Sequence, residues 1–205
     1  MKRVAILGAT GKLGEQLVSH ALEEGYEVNA LTLHPRKATR FNERFTLFKG
    51  DASTGEGLDD VVEGCPLVVS AMGSRQPVLA RSMFNLVEVL KGRHLRVLVF
   101  VSRINALATV GVVRGFPAAL WRRLHASQLD DLAAAEKVLR DSHLPYLILR
   151  PVGLNDGPPS RRPLVVTPVA KPGSVSRTDF ARFVVAQLGQ PEWLGNDLIV
   201  GAPRA

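Results

Sequence analysis

The sequence predicts an α/β protein with a doubly wound parallel sheet in a single domain, and three observations lead to that prediction. Short apolar runs alternate with helix-like segments along almost the whole chain. Each run is rich in aliphatic or β-branched side chains, as is typical of strands that helices cover on both faces. The 205 residues also match the size of one domain with a full core, so we expect one domain over residues 1–205.

Seven apolar runs predict the strands, at residues 4–7, 28–32, 45–48, 67–71, 97–101, 146–149 and 164–169. Helical segments join most of them, and strands alternating with helices form right-handed βαβ units around a parallel sheet. Beyond Pro151 the pattern is less regular, with a turn-rich loop at residues 157–163. Because no linker sets residues 151–205 apart, we expect them to complete the acceptor side of the same domain.

Helices are predicted where apolar side chains recur every three or four residues. The first such stripe follows a glycine-rich turn and ends at Gly25. Similar stripes predict helices at residues 79–90, 129–139 and 178–188. Residues 105–127 are irregular, and two interpretations stay open: a loop or short-helix lid over a site, or ordinary core contacts of the aromatic side chains in this segment.

Composition argues against several classes of function. The single cysteine, Cys65, allows no intramolecular disulfide and no cysteine metal cluster, which favours a reducing compartment. No apolar stretch approaches the ~20 residues that span a bilayer. The net charge of +7 comes from dispersed pairs of basic residues without a long basic run, so neither nucleic acid nor membrane is predicted as a partner. We expect a cytoplasmic protein without a metal.

Three glycines, Gly8, Gly11 and Gly14, lie between the first predicted strand and the first predicted helix. In this position such glycines allow a tight turn, a close approach of backbone N–H groups to a dinucleotide pyrophosphate, and close helix packing. Thr10 and Lys12 stand where a hydroxyl and an ammonium group could reach the phosphates. The alternative is a glycine turn with a purely structural role.

The end of the second predicted strand indicates which dinucleotide is preferred. A site for NAD usually has an acidic residue about 20 residues after the glycines, and none is present here. Arg36 and Lys37 are instead the predicted ligands of a 2′-phosphate, assisted by His34. NADP(H) is therefore favoured over NAD(H), although these cations could also be solvated loop charges.

Six stretches carry a family resemblance: "ILGATGKLG", "LFKGDAS", "VVSAMGSR", "VFVSRI", "AAAEKVLRDSHLPYLILRPVGLNDGP" and "SVSRTDFARFV". They resemble the atypical short-chain dehydrogenases of the NAD(P)H-binding type, which have a Rossmann fold. Length and motif order are most similar to the flavin reductases of that family, the biliverdin reductase B type. The resemblance implies a monomeric NADPH-dependent reductase.

The resemblance also implies which residues contact the cofactor. Asp51 would accept a hydrogen bond from the adenine amino group, although a turn-forming role is the alternative. Ser102, at the end of the fifth strand, is the expected catalytic residue; it would bind the nicotinamide amide or a substrate carbonyl, or else only cap backbone. The other implied cofactor contacts are Gly8, Thr10, Gly11, Lys12, Leu13, Gly14, Ala52, Met72, Gly73, Arg75, Pro151, Val152 and Gly153.

Two departures from the family pattern affect the expected chemistry. The Tyr-x-x-x-Lys pair of most short-chain dehydrogenases is absent from the region just before Glu136, where residues 128–132 read Gln-Leu-Asp-Asp-Leu. Leu33 replaces an arginine that often binds the 2′-phosphate. A planar conjugated acceptor, such as a flavin, a tetrapyrrole or a quinone-like molecule, needs a tyrosine acid less than a ketone does. A non-catalytic NADP(H) sensor is the alternative.

Overall fold

The structure is a computed structural model that describes residues 2–35, 42–73, 77–103, 126–160, 164–167, 173–189 and 192–203. Its main feature is an eight-stranded sheet, accompanied by one two-stranded sheet. The strands are β1 (Arg3–Leu7), β2 (Glu27–Thr32), β3 (Phe45–Lys49), β4 (Leu67–Ser70), β5 (Val97–Val101), β6 (Tyr146–Pro151), β7 (Leu154–Asn155), β8 (Val165–Thr167), β9 (Val175–Ser176) and β10 (Asp197–Gly201).

The strand order of the large sheet is β3-β2-β1-β4-β5-β6-β10-β8. All neighbouring pairs are parallel except β10 with β8, which is antiparallel. The small sheet pairs β7 with β9 in parallel. The predicted doubly wound α/β fold is therefore confirmed.

Five helices are described: α1 (Lys12–Glu23), α2 (Leu58–Val62), α3 (Leu79–Leu90), α4 (Ala126–Asp141) and α5 (Arg177–Gly189). α1 and α5 pack together on one face of the sheet, while α2, α3 and α4 cover the other. None of these helices combines the length and apolar character needed to cross a bilayer.

The sheet is the middle of a three-layer core, because alternate strand residues bury their side chains on opposite faces. Ile6 belongs to the apolar cluster under α1 and α5, and its neighbour Leu7 belongs to the cluster under α2 and α3. All four of the residues that follow Arg3 in β1 are buried. This burial on both faces explains why the predicted strands read as continuous apolar runs.

Four elements escaped the sequence prediction. The helix α2 is too short for an apolar period to show, and β7 and β9 have only two residues each. The strand β10 begins with Asp197 and ends with Gly201, which leaves an apolar run of three residues. The run predicted at 164–169 is a strand at Val165–Thr167, while residues 168–172 lie outside the described part of the chain.

The order of the strands creates an opening at the carboxyl edge of the sheet. The adjacent strands β1 and β4 lead to helices on opposite faces, α1 on one and α3 on the other. Doubly wound sheets bind ligands in the crevice at such a switch point. We therefore expect a ligand site among the residues that follow β1, β4 and β5.

A group of four charged residues, which we call the charge quartet, joins α4 to β6 and β10; Glu136 at its centre is buried, whereas Arg140 is exposed. Arg150 contacts Glu136 at 2.6 Å and Asp197 at 3.0 Å, and Arg140 contacts Glu136 at 2.8 Å and also pairs with Asp197. Burial opposes the ionised carboxyl of Asp197, but hydrogen bonds from both arginines hold its pKa below the ordinary value. Burial also opposes the charged Arg150, whose pKa is nevertheless raised by its hydrogen bonds to Glu136 and Asp197.

The charge quartet predicts a large stability effect at Arg150. Arg150→Met leaves the buried carboxylate of Glu136 without its main partner, so we expect the free energy of unfolding to fall by about 3 kcal/mol. Lys137→Met, which removes the exposed pair with Asp141 on the same helix, is the control and should cost only about 0.3–0.5 kcal/mol. Urea unfolding of both variants measures the difference, and equal losses would contradict the assigned role of the quartet.

Candidate functional site

The turn after β1 contains two glycines that no other residue could replace without a steric clash. Gly8 has a φ of +83°, and a Cβ added to it would lie 2.7 Å from the carbonyl oxygen of Ala71. A Cβ added to Gly14 would lie 2.1 Å from the carbonyl oxygen of Gly8. Both distances are too short for real atoms, so the first turn of α1 can pack against this turn only without side chains at these positions.

Gly11 is different, because no part of the chain that the structure describes requires a glycine there. Its φ of −81° is open to any residue, and the nearest atom to an added Cβ is the Gly8 oxygen at 3.4 Å. Gly11 is the N-cap of α1, and no side-chain cap of this helix end is present among the described residues. The backbone N–H groups at the start of α1 are therefore available to an anion.

A cavity of about 450 Å³, the glycine-turn cavity, lies over this turn at the carboxyl edge of the sheet. It extends across the ends of β1, β2, β3 and β4. The predicted cofactor contacts among its lining residues are Gly8, Thr10, Gly11, Lys12, Leu13, Gly14, His34, Asp51, Ala52, Met72 and Gly73. Two more predicted contacts, Arg36 and Lys37, lie outside the described residues.

Hydroxyl groups connect the glycine turn to the end of β2. The Oγ1 atoms of Thr10 and Thr32 are 3.1 Å apart, and the backbone N–H of His34 donates to Thr32 Oγ1 at 3.1 Å. Leu33 also lines this cavity and is 55% exposed. The end of β2 is thus held beside the glycine turn with no acidic side chain at residues 32–35.

Asp51 forms a turn and also lines the cavity. Its Oδ1 accepts hydrogen bonds from the backbone N–H of Ser53 at 2.8 Å and from the Ser53 hydroxyl at 2.7 Å. The side chain of Asn85 on α3 donates to the carbonyl oxygen of Ala52 at 3.0 Å. The turn-forming role that the sequence left open is therefore present, and it fixes Asp51 at the edge of the glycine-turn cavity.

A second cavity of about 490 Å³, the Ser102 cavity, adjoins the first. The two share Leu13, Ala71, Met72 and Gly73, so together they form one continuous crevice. The remaining predicted contacts, Pro151, Val152 and Gly153, line this second part with Ser102. Arg75, also predicted from the resemblance, lies outside the described residues.

Ser102 is buried at the end of β5 and is bonded within the protein. Its backbone N–H donates to the carbonyl oxygen of Leu149 at 2.9 Å, and its Oγ donates to Glu136 Oε1 at 2.6 Å. The predicted alternative, a hydroxyl that caps backbone, is not what the structure contains. The hydroxyl instead links β5 to the charge quartet.

Positive side chains line the Ser102 cavity. Among its described lining residues, Arg103 and Arg177 are charged and none is acidic. Asp156 pairs with Arg177 and also accepts a hydrogen bond from Lys12 Nζ at 3.0 Å, thereby joining the start of α1 to the start of α5. The hydrogen bonds from Lys12 and Arg177 hold the pKa of Asp156 below its ordinary value.

The two tyrosines of the chain lie away from this crevice. Tyr26 precedes β2 and Tyr146 begins β6, so both are at the amino ends of strands, the edge opposite the cavities. In the region just before Glu136, Asp131 accepts hydrogen bonds from the backbone N–H groups of Leu79 at 2.8 Å and Ala80 at 3.0 Å. Asp131 thus caps α3 and is not part of the crevice.

Several residues of the site were missed by the sequence analysis. Glu136 carries a recognisable signal, because it is a charged residue in the apolar stripe of α4, next to the buried Ala135 and one turn before the buried Leu139. Arg177 and Asp156 carry no such signal. Asp156 meets Lys12 only because the chain returns to the glycine turn more than 140 residues later, and Arg177 joins them through Asp156.

Comparisons with known proteins agree with this geometry. A family model described as NAD(P)H-binding matches residues 8–191. An Arabidopsis thaliana protein named only by its locus and as chloroplastic is 30% identical over 214 residues, covering 93% of this chain and 73% of its own length. Photosystem II assembly factor Ycf39 of Trieres chinensis is 26% identical, and the chain spans 63% of its length.

Solved structures share the fold over nearly the whole chain. A short-chain dehydrogenase/reductase from Veillonella parvula, in complex with NADP, has a TM-score of 0.78 at 24% identity, covering 98% of this chain and 95% of its own. ChuY of Escherichia coli O157:H7, described as an anaerobillin reductase, has a TM-score of 0.82 at 21% identity, covering 100% and 98%. The family model and the Arabidopsis relative show that the chain belongs to the NAD(P)H-binding family, and the solved structures share its Rossmann fold.

Proposed function

We propose that this protein is an NADPH-dependent reductase of a flavin or a similar planar conjugated acceptor. The observation that carries the proposal is the continuous crevice, which has the glycine turn at one end and Ser102 at the other. A dinucleotide has two halves joined by a pyrophosphate, and the two adjoining cavities match that division. When bound, the cofactor supplies a hydride at the Ser102 end.

The residues around the glycine turn fit a dinucleotide. Gly11 leaves open the space that a side chain would fill, and the uncapped start of α1 offers N–H donors to a pyrophosphate. When the cofactor binds, Lys12 would leave its exposed ion pair with Asp156 and pair with a phosphate instead. The phosphate is also anionic and would lie at the same edge of the sheet. Asp51, with its Oδ1 fixed by Ser53, would face the adenine.

The preference for NADP(H) rests on charge at the end of β2. Asp51 is the only acidic residue among the described residues lining the glycine-turn cavity, and residues 32–35 offer no carboxylate for a ribose diol. We assign the 2′-phosphate to Arg36 and Lys37 with help from His34, and assign Arg75 to a phosphate or an anionic substrate. The NADP complex of the Veillonella protein supports the choice of NADP(H).

The acceptor would enter the Ser102 cavity, which residues 151–205 complete. Arg103 and Arg177 favour an acceptor that carries a carboxylate or a phosphate, since guanidinium groups bind both. Without a tyrosine acid in the crevice, the rate would come mainly from holding the two rings close together, and solvent would supply the proton. The description of ChuY as a reductase supports the same chemistry.

A second candidate function comes from the relatives. Photosystem II assembly factors of the same sequence family match this chain, so an NADP(H)-binding protein that regulates a partner without turnover is the alternative. The Arabidopsis relative is described as chloroplastic, so the cytoplasmic location of this chain stays a prediction. Its monomeric state stays a prediction as well.

The proposed activity predicts NADPH oxidation by a panel of flavins, quinones and linear tetrapyrroles. Absorbance at the nicotinamide band follows the reaction, with NADPH and NADH compared at equal concentration and at low salt. We expect turnover with at least one acceptor and tighter binding of NADPH than of NADH. Binding of NADPH without reduction of any acceptor would favour the sensor, and a preference for NADH would overturn the assignment of Arg36 and Lys37.

Gly11→Val is expected to block NADP⁺ binding in a folded protein. The added methyl groups would occupy the space over the turn, while the loss of a glycine N-cap should lower the free energy of unfolding by only about 1 kcal/mol. Gly14→Ala is the matched control, since its Cβ would collide with the Gly8 carbonyl and damage the fold itself. Calorimetric titration and thermal melting separate the two effects, and normal NADP⁺ affinity in Gly11→Val would refute the site.

The arginines of the Ser102 cavity predict a preference between two flavins that differ by one phosphate. Arg177→Met should raise the KM for FMN about tenfold, because it removes a charge-assisted hydrogen bond, and should leave the KM for riboflavin nearly unchanged. Asp156→Asn frees Arg177 from its ion pair and should lower the KM for FMN. Equal changes for both flavins in Arg177→Met would show that this arginine does not bind the phosphate.

A further inference from the structure

The starting point is that Ser102 has no hydrogen-bond donor left for a ligand. Its backbone N–H is bonded to Leu149, and its hydroxyl hydrogen points to Glu136 Oε1. Ser102 is only 2% exposed, yet it lines the cavity that bears its name. The hydroxyl oxygen keeps lone pairs that can still accept a hydrogen bond.

The direction of the bond between Ser102 and Glu136 follows from the partners of the carboxylate. Oε1 of Glu136 also accepts from Arg150 Nε at 3.0 Å, and Oε2 accepts from Nη2 of Arg150 at 2.6 Å and from Nη2 of Arg140 at 2.8 Å. A carboxylate held by two guanidinium groups is an acceptor only. The hydrogen between Ser102 and Glu136 therefore belongs to the serine.

The quartet also keeps Glu136 from turning away. Arg140 on α4 and Arg150 on β6 also donate hydrogen bonds to Asp197 on β10. The Glu136 carboxylate is therefore held by one arginine from a helix and one from a strand. Glu136 itself is 6% exposed, so bulk water has little access to its carboxylate. The polarity of the Ser102 hydroxyl is consequently fixed by the charge quartet and not by the ligand.

We propose that Ser102 acts as a hydrogen-bond acceptor for an N–H group of the bound ligand, and that Glu136 is the positioning residue that sets this polarity. This inference rests on the proposed function and assigns the N–H to the carboxamide of the nicotinamide. It also decides between two roles that the sequence left open for Ser102. A carbonyl group of an acceptor needs a donor, and Ser102 has none to offer.

The test compares the binding of two oxidised cofactors that differ at this group, NADP⁺ and its acetylpyridine analogue, whose ketone has no N–H. Calorimetric titration without an acceptor measures binding alone. Wild-type protein should bind NADP⁺ about threefold to tenfold more tightly than the analogue, as expected for one neutral hydrogen bond. In Ser102→Ala this ratio should fall to about one, since the accepting oxygen is gone.

Glu136→Gln tests the positioning role. Two guanidinium donors meet the Oε2 position and only one, Arg150 Nε, meets Oε1, so the amide oxygen should remain with the Nη2 atoms of Arg140 and Arg150, which turns the amide NH₂ towards Ser102. The serine then accepts from Gln and directs its own hydrogen to the cavity, so the ratio should fall to one or reverse in favour of the ketone. A merely structural role would weaken both nucleotides equally and keep the wild-type ratio. Lys137→Met, one residue away on the exposed face of α4, is the matched control.

Each outcome is decisive. A wild-type ratio of one, or an unchanged ratio in Ser102→Ala, overturns the inference even if Glu136→Gln does not fold, and an unchanged ratio in a folded Glu136→Gln overturns the positioning role. If wild-type protein binds neither nucleotide, the proposed function fails together with this inference. Binding of both with equal affinity leaves the proposed function standing and removes only the role of Ser102.

Discussion

The close contact between the turn after β1 and the first turn of α1 is the constraint on which the rest of the structure depends. The backbone of Gly14 lies against the carbonyl of Gly8, and Gly8 in turn lies against Ala71 at the end of β4. Two adjacent strands and one helix therefore meet at backbone distance. Because no side chain fills this junction, α1 begins directly above the sheet with its N–H groups facing the crevice.

The opposite end of the crevice depends on charge instead of close backbone packing. Glu136, Arg140, Arg150 and Asp197 join α4, β6 and β10, and Ser102 is connected to them through Glu136. Such ion pairs add little stability compared with apolar packing, but here the hydrogen bonds from Arg140 and Arg150 hold the Glu136 carboxylate in one arrangement. A site that must present one hydroxyl in one orientation gains from that property. The two ends thus obtain their rigidity from different physical sources.

Most of the fold could be predicted because burial on both faces leaves a strong pattern in a parallel strand. The run 97–101 contains five apolar residues, and the strand β5 has those same bounds. The glycine turn was predictable for a similar reason, since Gly8 and Gly14 are required by packing. The strand β10 was missed because an Asp and a Gly at its two ends leave an apolar run of only three residues.

The polar half of the site was less predictable, since its partners are distant in the chain. Lys12 and Asp156 are 144 residues apart, and Glu136 and Asp197 reach Arg150 from different elements. No short-range sequence pattern indicates such long-range contacts. Ser102 was identified by its place at the end of β5, yet the direction of its hydrogen bond became visible only with Glu136 beside it.

The most direct measurement of the central claim is a crystal structure of the protein with NADP⁺. The account predicts the pyrophosphate over Gly11 at the start of α1, the adenine beside Asp51, and the nicotinamide carboxamide with its nitrogen within hydrogen-bond distance of Ser102 Oγ. A cofactor bound elsewhere, or one whose nicotinamide points away from the Ser102 cavity, would contradict it.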